Sequence, residues 1–393
     1  IIKYIMLNIN CNFCNKINNK PVYKPINSNR SIEIFCCNSC GLLFSKSKSP
    51  YVSRPKPSMS CDANRSSIKY TKQLVLNDHM NFLVKKKIDL KKYFYFLDIG
   101  SNRGDFIKYL VKLKSSKFLI DAIETDPYVV DSYLNKENIN LIIDRFESVN
   151  LQKNNYDFIH CVHTLEHFEN IYDSLLKMKN SLKNSGLLFL VVPNIEYGAL
   201  NTFTEIFIDT HTFHFRFKVL ENIVKTLGFV VVSKNEENEP EIKLLLKKNN
   251  SDKTIMSKKI SKLGDSSLNF IDNYSVNIIK ERNNIINAVK KIESKFNDKI
   301  ICWGAGRIFD GLISIGRLNP NKIVYLVDKY LYKYFKDFYG VKLNSLSILK
   351  NVNKSIPILV CSFEYFDEIK KQASKLGFNN IYNISKFLTN EKV

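Results

Sequence analysis

The stretch YFYFLDIGSNRGDF, residues 93–106, decides the fold class of this chain. An apolar, aromatic run ends at Asp98 and leads into a turn that contains Gly100 and Gly104, before a helix predicted to begin near Phe106. Glycines let the backbone approach a ligand closely, and the first turn of a helix offers unpaired N–H groups. A strand, a glycine-containing turn and a helix in this order predict a nucleotide site, although the spacing is not that of G-x-G-x-x-G.

Further apolar runs continue this pattern along the chain after residue 106. FLIDAIE, YDFIHCV, GLLFLVVP and FVVVS follow, separated by amphipathic stretches. Continuous apolar runs separated by helices indicate a parallel sheet covered on both faces. Residues 93–240 are therefore predicted to form one α/β domain. The charged, Asn-rich segment 234–262 is predicted to be a connector. A second βα series, IICWGAG, KIVYLVD, IPILVCS and NNIYNI, predicts another α/β domain over 298–393.

Two cysteine pairs stand near the start of the chain. Cys11-x2-Cys14 is followed by Cys37-x2-Cys40. Two pairs at this spacing supply the four thiolates that a structural zinc ion prefers, and they leave no open coordination position. The alternative is four unrelated buried cysteines. The domain order expected from these patterns is a zinc-binding module with linker (1–60), a helical segment (61–92), the first α/β domain (93–240), a connector with helices (241–297) and the second α/β domain (298–393).

Composition limits the function classes. The 393 residues include 59 Lys+Arg and 38 Asp+Glu, a net charge of +21, and +13 of this lies in residues 1–92. Such a balance is compatible with nucleic acid, an anionic membrane surface or a phosphorylated substrate, and also with an AT-biased genome. No apolar run reaches the length of a membrane span, and the opening segment lacks the pattern of a signal peptide. Nine cysteines, an odd number with several inside apolar runs, favour a reducing cytoplasm.

Polar residues follow several of the predicted strands. Glu124 ends the second apolar run, where a carboxylate can accept hydrogen bonds from both hydroxyls of a ribose. Asp144 and Phe146 follow the next strand-like stretch, where an acid and an aromatic ring can frame an adenine. His163 lies in HCVHTLEHF after the fourth run, and Asn194 after the fifth. Because the carboxyl ends of parallel strands meet at one edge of a sheet, these residues are predicted to share a site.

The motif DIGSNRG resembles the DIGSNDG form of motif I in the S-adenosylmethionine-dependent sugar C-methyltransferases. Members of that family also carry an N-terminal zinc module, a class I methyltransferase domain with a Rossmann-like sheet, and a C-terminal Rossmann-like domain, in the order seen here. The resemblance implies S-adenosylmethionine as cofactor, a structural zinc ion, and a C-terminal domain that helps to enclose a nucleotide-linked sugar. Arg103 stands where the family usually has an acid.

The resemblance also implies roles for individual residues. His211 in EIFIDTHTFHFRFKVL aligns with the histidine proposed as base in the family, but Thr210 replaces the family's preceding acid, with Asp209 adjacent. A structural role for His211 is the alternative. The full set of expected site residues is as follows: for catalysis His211, Tyr197 and His214; for the cofactor Asp98, Gly100, Ser101, Asn102, Gly104, Glu124, Thr125, Asp144, Arg145, Phe146 and His163; for the substrate Asn194 and Glu196; and for zinc Cys11, Cys14, Cys37 and Cys40.

The function expected from these features is methylation of a carbon next to the keto group of a nucleotide-linked sugar, with His211 forming an enolate. The alternatives are O-methylation of a capsule or lipopolysaccharide sugar and methylation of RNA beside a zinc ribbon. Tyr70 and Phe82 are too sparse to predict base stacking, so nucleic acid is the less favoured partner. A third possibility is a non-catalytic scaffold, which would be indicated if the protein bound no S-adenosylmethionine. The presence of Asp98 and Glu124 argues against it. An NAD site in the C-terminal domain is not expected, because Phe309 stands at the third glycine of the fingerprint. The sequence leaves the oligomeric state open.

Overall fold

The computed structural model describes residues 9–18, 20–25, 28, 30–47, 66–114, 117–133, 137–200, 205–249, 260–296, 298–333, 335–362 and 365–388. The chain divides into two compact units, one of Ile1–Asn64 with Ile68–Asn273 and one of Arg65–Ser67 with Tyr274–Val393. Most of the predicted linker at 46–60, the first eight residues and Cys61 lie outside the described residues. Within the described part of the chain, no helix has both the length and the apolar character needed to cross a membrane.

The first unit contains twelve named strands among its described residues. They are β1 (Ile9–Asn10), β2 (Ile17–Asn18), β3 (Glu33–Cys36), β4 (Leu43–Lys46), β5 (Tyr95–Ile99), β6 (Leu119–Glu124), β7 (Ile139–Ile143), β8 (Tyr156–Val162), β9 (Leu182–Pro193), β10 (Phe213–His214), β11 (Phe229–Lys234) and β12 (Glu241–Lys248). The helices are α1 (Ser66–Lys85), α2 (Asp105–Lys114), α3 (Ile171–Ser181), α4 (Ile195–Leu200), α5 (Phe217–Thr226) and the start of α6 (Ile260–Lys295).

Seven of these strands form one sheet in the order β11-β12-β9-β8-β5-β6-β7. Neighbouring strands from β9 to β7 run parallel, whereas β12 is antiparallel to both of its neighbours. The order reverses between β5 and β8, and a crevice outside the carboxyl ends of the strands is the usual ligand site at such a reversal. The predicted α/β sheet is confirmed, and its reversal point lies directly after the LDIG stretch.

The connector predicted over 234–262 is wrong for its central part, and the domain boundary predicted at 240 cuts through the sheet. Glu241–Lys248 form β12, which pairs with β9 from Glu241↔Pro193 to Leu246↔Leu188. Its leucines are fully buried, while the charged Lys243 is only 5% exposed and pairs with Asp78 at 2.6 Å. The charged residues of this strand have partners inside the fold. In the sequence alone, those charges gave a buried strand the pattern of a solvent-exposed connector.

The N-terminal module contributes a hairpin that pairs with a strand from a later part of the chain. β3 and β4 pair as a hairpin, and β4 pairs on its other side with β10, through Phe44↔Phe213 and Leu43↔His214. The short pair β1–β2 precedes them. Because β10 lies in the segment that carries His211, the module holds the segment predicted to contain the base.

The second unit has its own sheet, in the order β15-β16-β14-β13-β17-β18. Its elements are the rest of α6, β13 (Ile300–Trp303), α7 (Arg307–Ser314), β14 (Ile323–Val327), β15 (Asp337–Phe338), β16 (Val341–Asn344), β17 (Ile358–Val360), α8 (Phe366–Lys375), β18 (Ile381–Asn383) and α9 (Ser385–Leu388). All pairs except β15–β16 are parallel. Trp303 and Phe309 are both buried, 3% and 1% exposed, so each is used in packing.

Candidate active site

The turn after β5 has a backbone that only particular residues tolerate. Gly100 has φ +71°, and a Cβ there would stand 2.1 Å from Oγ1 of Thr164. Thr164 is held in place because its hydroxyl donates to the carbonyls of Ile99 and Val162, at 3.1 and 2.9 Å. Asn102 also has a positive φ, +47°. The glycine is therefore needed both for its conformation and for the close approach of the loop after β8.

Glu124, at the end of β6, is the anchor of the loops around this turn. Its carboxylate accepts hydrogen bonds from the backbone N–H groups of Asn102 (2.7 Å), Thr125 (2.7 Å) and Asp126 (3.0 Å). Oε1 also accepts from Oγ1 of Thr125 at 3.2 Å, so the acceptor capacity that remains for a ligand hydroxyl is that of Oε2. Glu124 thus holds the glycine turn and the β6 loop together at the site where the sequence predicts a ribose.

A cavity of about 360 Å³ opens at this edge of the sheet. Phe146 forms one wall and stacks on Phe168, with ring centroids 5.4 Å apart and an angle of 8° between the planes. Eight of the eleven residues expected at the cofactor line this cavity: Gly100, Asn102, Glu124, Thr125, Asp144, Arg145, Phe146 and His163. Its size, its apolar wall and its polar rim suit a nucleoside-containing ligand.

The other three expected cofactor residues support the turn and do not line the cavity as the structure describes it. Asp98 is 2% exposed and accepts from Nδ1 of His160 at 2.8 Å. Ser101 is hydrogen-bonded to the hydroxyl of Tyr133. Gly104, with φ +70°, precedes the first residue of α2. Their contacts fix the turn from behind, and contact of these three residues with the cofactor stays a prediction.

Residues 69–234 match the model of a family described as a methyltransferase domain. A methyltransferase domain occupies this part of the chain. Among similar solved structures are S-adenosylmethionine-dependent methyltransferases from Aquifex aeolicus (17% identity, TM-score 0.39, covering 49% of this chain and 98% of that one) and from Clostridium acetobutylicum (13% identity, TM-score 0.37, covering 44% and 90%). No curated protein matches the chain.

An ion network lies at the rim of the methyltransferase cavity. Glu241, the first residue of β12, accepts from Nε2 of His163 at 2.6 Å and from Nε2 of His79 at 2.8 Å. Burial alone would lower the pKa of His163, but the hydrogen bond to Glu241 and the negative charges of Glu166 and Glu241 outweigh it and raise that pKa to about 9. His163 also has φ +50°, an unusual conformation for a side chain with a Cβ. This network fixes an imidazolium at the cavity rim.

A second group of titratable residues adjoins the same cavity. His167 lines the cavity, and its ring meets that of His211 edge-on at 4.8 Å. Glu166 is 2% exposed, and its Oε1 lies 4.0 Å from Nε2 of His167. Burial, opposed by the charge of Glu166, lowers the pKa of His211 to about 4, so the imidazole is neutral at pH 7. The structure therefore brings His211 next to the cofactor cavity with a lone pair available.

His214 occupies a different environment from His211. It is 4% exposed, its Nε2 is hydrogen-bonded to Oγ of Ser45 at 2.6 Å, and it packs edge-on against Phe207. Burial lowers its pKa to about 3. The structure gives His214 a packing role between β4 and β10, which argues against the catalytic role expected for it.

The residues after β9 are also engaged within the chain. Asn194 donates to the carbonyls of Glu237 and Glu239, at 2.8 and 3.0 Å. Glu196 forms a two-point ion pair with Arg216, at 2.7 and 3.0 Å. These contacts shape the end of the strand, and contact of either residue with the substrate stays a prediction. Tyr197 lies beside them on α4, half-buried and outside the cavity lining that the structure describes.

The four N-terminal cysteines come together as the spacing predicted. Sγ of Cys11 lies 3.6 Å from Sγ of Cys40, and Sγ of Cys14 lies 3.3 Å from Sγ of Cys37. All four sulfurs are within 4.8 Å of one another. A tetrahedral ion with bonds of about 2.3 Å to sulfur needs edges of about 3.8 Å. The cluster has the composition and the size for such an ion.

Two acids of the site were missed by the sequence analysis. Glu166 lies between His163 and His167 in the sequence, and no local pattern distinguishes its carboxylate from that of a solvent-exposed acid. Glu241 begins β12, which was assigned to a connector. The signal that identifies it is the apolar core of EIKLLLKK, a run of strand length that follows a proline.

Proposed function

We propose that this methyltransferase transfers the methyl group of S-adenosylmethionine to a carbon next to the keto group of a nucleotide-linked sugar. The observation that carries the proposal is His211, a neutral imidazole in ring contact with His167 of the cofactor cavity. The resemblance of DIGSNRG, and the order of cysteine cluster, methyltransferase domain and second α/β unit, support the choice of sugar.

The proposed reaction needs only positioning and one proton acceptor. His211 takes the proton from the carbon next to the carbonyl, and the electron pair of that C–H bond forms an enolate. The enolate carbon then attacks the methyl carbon while the methyl–sulfur bond breaks, and S-adenosylhomocysteine leaves as a neutral thioether. Bringing the two carbons into line is a large part of such catalysis, and proton abstraction supplies the rest.

We further propose that the cysteine cluster binds a structural zinc ion. Four thiolates fill a tetrahedral shell, so the ion supplies no open position for chemistry. Its contribution is to the fold: β3 and β4 are held in the hairpin on which β10 is paired. The module thereby positions the segment that carries His211.

The proton-transfer step can be tested without methyl transfer. We expect the protein with S-adenosylhomocysteine and a nucleoside diphosphate-linked keto sugar, in deuterium oxide, to exchange the α-proton of the sugar. His211→Ala should slow this exchange by about 100-fold or more, within the usual range for loss of a general base. Mass spectrometry of the recovered sugar measures it.

Two controls separate the base from a structural histidine. S-adenosylhomocysteine should bind His211→Ala with unchanged affinity, and added imidazole should restore part of the exchange by entering the vacated space. Exchange at the wild-type rate in His211→Ala would remove His211 from this role.

A further inference from the structure

Glu166 is an anion that the fold buries without completing its partners. The side chain is 2% exposed, and Oε2 has no hydrogen-bond partner among the described residues. Oε1 lies 3.7 Å from Nδ1 of His163 and 4.0 Å from Nε2 of His167, both beyond a hydrogen bond. The imidazolium of His163 compensates part of this charge, but a buried carboxylate whose Oε2 lacks a hydrogen bond remains costly unless a further cation or a proton is bound.

His167 presents its Nε2 toward this carboxylate. Its Nδ1 lies 3.0 Å from the carbonyl oxygen of Thr210, and since a carbonyl only accepts, Nδ1 carries the proton. The other nitrogen, Nε2, faces Oε1 of Glu166 at 4.0 Å. Nε2 and the carboxylate oxygen are therefore placed so that one metal ion can lie between them. A histidine oriented by a carbonyl on its far nitrogen is also the usual arrangement of a metal ligand.

His211 completes a set of three donors. The donor atoms of Glu166, His167 and His211 lie within 4.8 Å of one another. The two segments that supply them are tied together, because the N–H of Thr212 donates to the carbonyl of Glu166 at 2.8 Å. Bonds of about 2.0 to 2.1 Å in a tetrahedron require donor separations of about 3.4 Å. Small rotations of the two imidazoles provide the remaining closure.

We propose that Glu166, His167 and His211 form a second metal site, separate from the cysteine cluster, that takes a zinc-like divalent cation with its fourth position open to the cofactor cavity. Two imidazoles and one carboxylate are a recognised ligand set for zinc with an open position. This site should bind zinc more weakly than the four thiolates do, because it offers only three ligands. Two of them are neutral, partly exposed imidazoles, and only one is a negatively charged carboxylate.

The consequence for catalysis rests on the proposed function, whereas the binding does not. A cation bound to His211 occupies the lone pair that the proposed base needs. The loaded site therefore blocks proton abstraction, and excess zinc inhibits the enzyme. Metal-binding measurements alone test the site, so its failure is distinct from any failure of the proposed reaction.

The experiment titrates metal-free, reduced full-length protein with zinc ions in the absence of any other ligand. We expect two equivalents per chain, the second weaker than the first. Cys14→Ser should remove the tight equivalent only, and Glu166→Gln the weaker equivalent only. Glu169→Gln is the matched control, because Glu169 is a nearby, largely exposed acid that pairs with Arg145 at 3.3 Å; it should retain both equivalents.

Cobalt ions used as a probe of the weaker site, after zinc has filled the cysteines, should give the intense visible bands of a four-coordinate site in the wild type and none in Glu166→Gln. S-adenosylhomocysteine binding and thermal unfolding report whether that variant is folded. A single equivalent in the wild type would overturn the proposal. So would a second equivalent that survives Glu166→Gln but is lost in Glu241→Gln, since that outcome would place the ion in the His79–His163–Glu241 network.

Discussion

Gly100→Ala is expected to lower the affinity for S-adenosylhomocysteine by about 100-fold or more, which corresponds to about 2.8 kcal/mol. Gly100 has φ +71°, where a residue with a Cβ pays roughly 1 to 2 kcal/mol. In addition, the new Cβ would meet Oγ1 of Thr164 at 2.1 Å, and that hydroxyl is fixed by two carbonyls. The turn and the β8 loop, both of which line the cavity, must therefore move apart. Isothermal titration calorimetry measures the loss.

Two further variants separate the two causes. Thr164→Ala removes the clashing oxygen and methyl group, so Gly100→Ala/Thr164→Ala should recover part of the affinity but not the cost of the positive φ. Gly198→Ala is the control: its Cβ would find its closest atom at 3.6 Å, and its φ is not in the left-handed region. Unchanged affinity in Gly100→Ala would show that the turn does not shape the cofactor site.

Removal of the proposed zinc ion from the cysteine cluster, by chelation or by Cys37→Ser, is expected to release the segment that carries His211. β10 pairs with β4, and the N–H of Ser45 donates to the carbonyl of Thr212 at 2.8 Å. Asp209 is held from the same module by Ser28 and by the backbone N–H of Arg30. Without the ion the hairpin loses its main support, because structural zinc sites supply folding free energy directly.

Amide hydrogen exchange measures this release. Residues 212–215 should exchange about 100-fold faster or more, whereas β5 and β6 keep their protection and S-adenosylhomocysteine still binds. Cys36→Ser is the matched control, because Cys36 is a buried neighbour of Cys37 in the sequence but is not one of the four clustered cysteines. This variant should retain the zinc ion and the slow amide exchange of residues 212–215. Equal protection at 212–215 with and without metal would contradict a positioning role for the module.

Most of the fold could be predicted from the sequence because the central strands are mainly apolar and contain few charged residues. β5, β8 and β9 lie between covered faces, so their runs are continuous and legible. Strand β12 was not predicted, because Glu241 and Lys243 place charged residues in a buried strand. Those charges are compensated by His79, His163 and Asp78, which come from distant parts of the chain. Pairing between remote segments leaves no local pattern.

The candidate site could be predicted only in part, because contacts between remote segments also determine where its residues lie. Residues that follow strands, such as Glu124 and Phe146, could be placed at the cavity, since strand ends share one edge of the sheet. The hydrogen bond between Asp98 and His160 could not be predicted, because it depends on the packing of two strands. His211 and His214 are three residues apart, yet one adjoins the cavity and the other is buried against Ser45. Pairing of β10 with the cysteine module decides that difference.

The central claim is transfer of a methyl group to carbon, and the position of the methyl group in the product tests it most directly. The full-length protein is incubated with S-adenosylmethionine carrying a carbon-13 methyl group and a nucleoside diphosphate-linked keto sugar, and the product is analysed by nuclear magnetic resonance. The account predicts a labelled methyl group bonded to the carbon next to the carbonyl, with loss of the proton from that carbon. A labelled methyl group on a sugar oxygen, or label transferred to RNA and not to the sugar, would contradict it.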